Sequence, residues 1–279
     1  MSSKSFPDPD AITIEKDTNV LKVMSWNLWW KFENYLERQE AIFSEIKNLK
    51  PDIMCLQEVW EEEDESQAEK IADLLGYKFV YGKSFDFDGV AFGNAIVSKH
   101  PIKDYSVNYM AAEPEYDEKR LLLHAQILYK EMDLDVMCTH LNYKYEHQHV
   151  REDQVKYILE YISKLKKNKF PVILCGDFNA DPNSDEIRLI TGHRKSIDGT
   201  VLRDSWIITN PEDHGFTWSN RNSYAKKTLE FDRRIDYIFV GKAGSKGIGH
   251  PLSSFLVGTE ENNNVFPSDH FGIMTHLVG

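Results

Sequence analysis

The chain has 279 residues, 41% apolar and 12% aromatic, which suffices for one large domain with a substantial core and excludes extended disorder away from the ends. A formal net charge of −12 argues against broad electrostatic attachment to nucleic acid, because neutralising phosphates needs a basic face. No apolar run approaches the ~18 residues of a membrane span and no secretory pattern opens the chain, so a soluble, cytoplasmic protein is expected, with a monomer favoured.

Residues 1–18 carry Pro7 and Pro9 without periodicity and are expected to form a flexible extension, with a single catalytic-type domain over 19–279. VLKVMSWNLWW then predicts a strand from Val20 to Leu28 that delivers Asn27 at its end. Leu36, Ile42, Phe43, Ile46 and Leu49 predict a helix from Glu33 to Leu49, stopped before Pro51. A second strand, Asp52 to Gln57, leads into Glu58; a carboxylate directly after a buried strand needs a partner, and a cation is one candidate. The acidic run Glu61 to Glu65 reads as a solvated loop before a helix from Ser66 to Leu75, closed by Gly76. Strands follow at Tyr77 to Tyr81 and Gly93 to Ile102, with SFDFDGV as a loop between them. Lys119 to Tyr129, which carries Arg120, and Asp133 to Thr139, which ends in His140, look like hairpin partners turning at Lys130-Glu131. His149 to Leu165 is an amphipathic helix, and the basic run Lys164 to Lys169 reads more simply as its solvated end than as a phosphate-binding patch.

The central stretch is PVILCGDFNADPNSDEI, residues 171–187. PVILC has the length and β-branched content of a buried strand, and Asp177 and Asn179, two apart on an extended segment, point the same way toward one phosphate, water or metal. A strand followed by an Asx-rich turn that caps a helix near Asp185 explains the same residues without chemistry. Later come the aromatic cluster at Gly215 to Trp218, a strand at 234–240 with Asp236 near its start, a strand from Pro251 to Val257, and PSDHFGIMTHL, where Asp269 and His270 lead into a last strand. Cys55, Cys138 and Cys175 each lie in an apolar strand, so buried free thiols are expected, in a reducing compartment. Direct hairpins among the alternating strands and helices exclude a purely parallel doubly wound sheet; two mixed sheets packed face to face would bury the apolar strands.

Asn27, Glu58, His140, Asp177 with Asn179, Asp236, and Asp269 with His270 thus all stand at strand edges. Each alone has a bland explanation, but buried carboxylates without partners are costly, so together they imply a cation. Oxygen and imidazole donors without a thiolate suit Mg²⁺ or Mn²⁺ better than structural zinc.

The ordered motifs SWNLW, QEVW, GNAIVSK, THL, GDFNADP, RRIDYIFV and SDHFGI resemble the endonuclease/exonuclease/phosphatase superfamily. That metal-dependent group contains pancreatic-type DNase, abasic-site endonucleases, inositol-polyphosphate 5-phosphatases, neutral sphingomyelinases and poly(A) deadenylases. The resemblance spans about residues 20–278 and implies an α+β fold, a four-layer α/β/β/α sandwich with two mixed β-sheets packed face to face. It also implies that Glu58 is the principal metal ligand, with Asn27 and Asp269 in or beside the coordination sphere. Asp177 would orient or activate the attacking water, and Asn179 would hold a non-bridging phosphate oxygen. His270 would act as base or as phosphate-charge stabiliser with Asp236 fixing its tautomer, and His140 would contact the phosphate or assist the leaving group. Arg120 would match a phosphate-binding arginine, a rim salt bridge being the other reading. Trp29-Trp30 and Trp218 would either line a substrate cleft by stacking or pack under the sheet.

The expected function is divalent-metal-dependent hydrolysis of a phosphate ester by in-line, water-mediated attack. Alternatives are a DNA or RNA nuclease and a non-catalytic phosphate-binding protein; the latter would have lost one of Glu58, Asp177, Asn179 or His270. The abasic-site enzymes carry Asp two residues after the Asn, where this chain has Trp29, and the inositol phosphatases' usual GDLN is GDFN here. Acidic charge favours a small phosphodiester, a lipid head group or a single-stranded end over long duplex DNA.

Overall fold

The computed structural model describes residues 19–110 and 119–279; the expected extension at 1–18 lies outside the described residues. In chain order the elements are β1 (Val20–Asn27), α1 (Tyr35–Leu49), β2 (Ile53–Glu61), α2 (Gln67–Leu75), β3 (Lys78–Phe87), β4 (Val90–Ser98), β5 (Ile102–Tyr109), β6 (Leu121–Tyr129) and β7 (Met132–His140). Then follow α3 (Gln148–Ser163), β8 (Ile173–Asp177), α4 (Asp185–Ile190), β9 (Arg203–Asp204), α5 (Ser205–Thr209), β10 (Asp236–Val240), β11 (Pro251–Val257) and β12 (Gly272–Val278).

Two six-stranded sheets result, ordered β11-β12-β1-β2-β4-β3 and β5-β6-β7-β8-β10-β9. Both are mixed, since β1 pairs β2 and β7 pairs β8 in parallel while their other neighbours run antiparallel. Side chains alternate faces along a strand, and that alternation builds the layers. In β1, Leu21 and Val23 join Ile173, Cys175 and Ile238 of the opposite sheet in the core between the sheets. Met24 and Trp26, on the other face, pack with Ile42 and Ile46 of α1 and Ile71 of α2. On the far side Leu174, Tyr237 and Phe239 meet Val155, Ile158 and Leu159 of α3. The order of layers is therefore helix, sheet, sheet, helix, as the expected sandwich requires.

Carried to the strand ends, the same alternation places polar groups between the sheets at one edge. Asn27 follows Leu21, Val23 and Ser25; His140 follows Leu134, Val136 and Cys138; Asp177 follows Ile173 and Cys175; and Asp236 precedes Ile238 and Val240, all on inward-facing positions. Register makes the last three lateral neighbours, because His140 pairs Asp177 and Asp177 pairs Asp236.

Some expected boundaries move. SFDFDGV is a hairpin rather than a loop: β3 and β4 turn at Asp88 and Gly89, both left-handed with φ of 50° and 80°. Pro101 separates β4 from β5, an additional strand at the edge of its sheet. β2 continues to Glu61, and its register shifts between Leu56 and Val59, so Glu58 occupies a bulge at φ 52° rather than a strand end. The basic run from Lys164 begins at the C-cap of α3 and continues into the loop beyond it. The three cysteines are free and buried, and no helix among the described residues is long and apolar enough to cross a membrane.

Gly176, between Cys175 and Asp177, shows how tightly the site strands approach: a Cβ there would lie 2.2 Å from the Thr139 carbonyl oxygen of β7. Gly176→Ala must therefore push β8 from β7 directly beneath Asp177. We expect it to destabilise the fold by about 1–3 kcal/mol, read as a lower urea midpoint at unchanged m-value. An unshifted midpoint would refute that close approach.

Candidate active site

The strand ends open into a cleft of about 300 Å³ lined by Trp29, Glu58, Arg120, His140, Asp177, Asn179, Trp218, Asp269 and His270, nine of the eleven residues expected from sequence. The other two, Asn27 and Asp236, are fully buried and act on the cleft through hydrogen bonds. Asn27 Nδ2 donates to Glu58 Oε1 at 2.9 Å and to Asp177 Oδ2 at 3.1 Å, joining the two sheets, while its Oδ1 accepts from Trp29 N at 3.0 Å. Asp236 Oδ2 lies 2.9 Å from His270 Nδ1, leaving Nε2 3.8 Å from Asp177 Oδ2. His140 Nε2 approaches the same Asp177 oxygen at 3.4 Å and Glu58 Oε1 at 4.0 Å.

Local backbone explains these positions. The bulge carries Glu58 off the alternating pattern of β2, and Asn179, at φ 49°, turns so that its N–H donates to Asp177 Oδ1 and its side-chain amide to the Leu141 carbonyl. Asp269 and His270 are adjacent yet share one cleft because the chain bends ahead of them. Ser268 Oγ donates to the Asn27 carbonyl at 2.7 Å and accepts from His270 N at 3.2 Å. Thr217 Oγ1 accepts from the N–H groups of Ile235 and Asp236, which fixes the start of β10.

Electrostatics divide the two histidines. Burial disfavours a charged His270, but Asp236, Asp177 and Asp269 outweigh it and hold the ring well above the ordinary histidine range. Burial, with Arg120 and His270 nearby, holds His140 well below that range, and its Nδ1 is buried without a hydrogen-bond partner among the described residues. Paired groups driven apart in this way are the usual mark of divided acid, base and charge-stabilising roles. Burial and then Asp269 push the Glu58 carboxyl up to about 7, burial and then Asp236 push Asp177 up to about 6, and burial raises Asp269. Crowded, desolvated carboxylates that resist ionisation fit a hard divalent cation, whose charge would reverse those shifts. Asp177, Asp236 and His270 also present donor atoms within 4.8 Å of one another, but there the Asp236–His270 hydrogen bond already uses two of the three groups.

Aromatic rings bracket this centre. Phe85 stacks on Phe92, which lies 6.3 Å from His140, while Trp218 meets His270 edge-on at 4.9 Å. Trp29 packs on Tyr224 and over Arg38, so it both lines the cleft and supports its wall. Arg120 lies inside the cleft rather than on an outer rim. Residues not singled out from sequence also line it: Phe85, Phe92, Tyr143, Tyr145, Glu230, Arg233 and Ile235. The Asp-Gly turn after FDF could have flagged the hairpin bearing Phe85 and Phe92. Arg233, bonded to Asp181 and stacked on Tyr145, had no local signal beyond its place beside the Asp236 strand.

The model of the endonuclease/exonuclease/phosphatase family matches residues 24–270. Tyrosyl-DNA phosphodiesterase 2 of Bos taurus is 27% identical over 99% of this chain and 73% of its own length. Human sphingomyelin phosphodiesterase 2 is 22% identical over 92% of this chain and 64% of its own length. Among solved structures, D. rerio TDP2 in complex with a single-strand DNA product superposes with a TM-score of 0.72 at 23% identity, covering 92% of this chain and 98% of that one. Fold, motif order and family match agree: the chain belongs to the endonuclease/exonuclease/phosphatase family and is a phosphoric ester hydrolase.

Proposed function

We propose that the chain is a divalent-metal-dependent phosphodiesterase, with Glu58 the principal holder of Mg²⁺ or Mn²⁺ and Asn27 and Asp269 beside it. The observation that carries this reading is the convergence of Glu58, Asp177 and Asp269 on one cleft, all three held above the ordinary carboxylate range, with the buried Asp236 reaching it through His270. A bound cation would neutralise charge on the phosphate oxygens and act as a Lewis acid. Asp177 orients the attacking water, held in place by Asn27 and by the N–H of Asn179. The second amide hydrogen of Asn179 is left for a non-bridging phosphate oxygen. His270, whose Nδ1 is engaged by Asp236, turns Nε2 toward the centre and suits developing negative charge on phosphate. His140, beside Arg120 and Phe92, serves the phosphate or the departing oxygen.

The aromatic walls favour an ester with a planar group on at least one side of phosphorus. Together with the likeness to the Bos taurus protein, they support a single-stranded nucleic-acid end whose terminal phosphate is esterified to an aromatic hydroxyl. The test is initial-rate hydrolysis with Mg²⁺ on a panel: a single strand with a phosphotyrosyl end, unmodified single and duplex DNA, an abasic duplex, inositol phosphates and a choline phospholipid. The phosphotyrosyl strand should turn over fastest. Preference for the choline phospholipid or inositol phosphates would sink the substrate assignment, and no metal-stimulated hydrolysis of any ester would sink the reaction.

A further inference from the structure

Arg38, on the first turn of α1, is almost wholly buried, yet its guanidinium faces backbone rather than solvent. Nε donates to Phe32 O at 3.1 Å, Nη1 to Leu28 O and Pro267 O at 3.0 Å, and Nη2 to Trp29 O at 2.9 Å, Trp30 O at 3.0 Å and Phe32 O at 2.9 Å. The Trp29 ring covers it 4.6 Å from Cζ. A buried arginine is costly unless its donors are satisfied, and a rigid five-donor fork is the group that can satisfy this many fixed carbonyls at once.

Those carbonyls belong to the two loops that carry the proposed metal holders. Leu28 to Phe32 directly follows Asn27, and Trp29, Trp30 and Glu33 are left-handed at φ 58°, 37° and 51°. Such backbone persists only where surroundings hold it. Trp30 N in turn donates to Glu58 O at 2.9 Å, within the bulge that presents Glu58. Pro267 lies two residues before Asp269, and Ser268 Oγ closes the triangle on the Asn27 carbonyl. One side chain thus ties the Asn27 loop, the Glu58 bulge and the Asp269 loop together.

We infer that Arg38 is a positioning residue that sets the mutual spacing of Asn27, Glu58 and Asp269 for a divalent cation. The inference rests on the metal reading above. Its positive charge also lies within electrostatic reach of Asp269 and Glu58. Arg38→Lys keeps the charge and loses the fork; Arg38→Gln loses both the charge and most of the donors.

Mn²⁺ binding to substrate-free protein, followed by the electron-spin resonance of the free ion, reads this role without any turnover. Outer partners of metal ligands typically contribute 10–100-fold in affinity. We expect Mn²⁺ affinity to fall by about that range in Arg38→Lys and at least as far in Arg38→Gln, in protein that still unfolds cooperatively. At saturating Mn²⁺, KM should move less than about threefold, since Arg38 does not line the cleft. A merely structural arginine would lower Tm and leave the Mn²⁺ affinity of the folded protein unchanged, and that result would overturn the inference alone. Loss of cooperative unfolding in both variants would overturn it equally, in favour of a purely structural role. Absence of Mn²⁺ binding by the unaltered protein would remove the metal reading itself.

Discussion

Replacing Glu58 with Gln should lower hydrolysis more than about 100-fold at limiting Mg²⁺, the upper end of what even an outer partner of a metal ligand contributes. Glutamine keeps the volume and the hydrogen bond from Asn27 Nδ2 but removes the charge that, on the proposed reading, would face the cation. Raised Mn²⁺ should recover part of the loss, because the other oxygen donors remain. The fold should survive. The Glu58 carboxyl is pushed up to about 7 from an unfolded value of 4.5, so between those values the folded chain binds more protons than the unfolded chain. In the metal-free protein this carboxylate therefore erodes stability as pH rises from 4.5 through about 7, and above that window its removal should leave Tm equal or higher in EDTA. The metal-induced rise in Tm should shrink at the same time. Full activity of Glu58→Gln at low metal would refute its assignment, whereas a collapse of Tm in EDTA would show that the carboxylate is structural.

Much of the fold is readable because burial imposes a period on the sequence. β1, β7, β8 and β10 each alternate between a core shared by both sheets and a core under helices, so their inward sets are visible as Leu21, Val23 or Ile173, Cys175. Where only one face is buried the pattern thins. β5 exposes Lys103, Asp104 and Tyr105 at a sheet edge, and its IKDYSVNY carries no apolar run to announce it. The β3–β4 hairpin was hidden differently, by charges flanking aromatics in SFDFDGV, although Asp88-Gly89 is a strong turn signal.

The site follows the same rule. Asn27, His140, Asp177 and Asp236 were legible because each occupies the inward position that ends an apolar alternation, where a polar side chain has no packing reason to stand. Glu58 was legible as a residue, but not its bulge, since nothing in QEVW encodes a left-handed position. The side-chain roles of Arg38, Ser268 and Thr217 were not legible. They act on backbone carbonyls and N–H groups far away in sequence, such as Arg38 on Pro267, and that geometry exists only once the loops have met.

His270→Ala should lower turnover by about two to four orders of magnitude, the range expected for a positioned proton-transfer or charge-stabilising group. The ring is fixed at both ends. Nδ1 lies 2.9 Å from Asp236 Oδ2, the Trp218 ring meets it edge-on, and Nε2 is directed toward the oxygen of Asp177 that also accepts from Asn27. Stability should fall as well, since the buried Asp236 carboxylate loses its partner, so the turnover defect is read on protein that still unfolds cooperatively. Asp236→Asn should give a smaller defect in the same direction, because an amide can still meet Nδ1 but no longer favours the charged ring or one tautomer. The double variant His270→Ala with Asp236→Asn is the decisive measurement. If Asp236 acts only through His270, the double variant turns over at nearly the rate of His270→Ala alone. Asp236 also presses on Asp177 across the β8–β10 pair, which gives it a second route to the chemistry. Should the two defects multiply instead, that second route carries the effect, and Asp236 would be tuning the water-orienting carboxylate rather than the histidine.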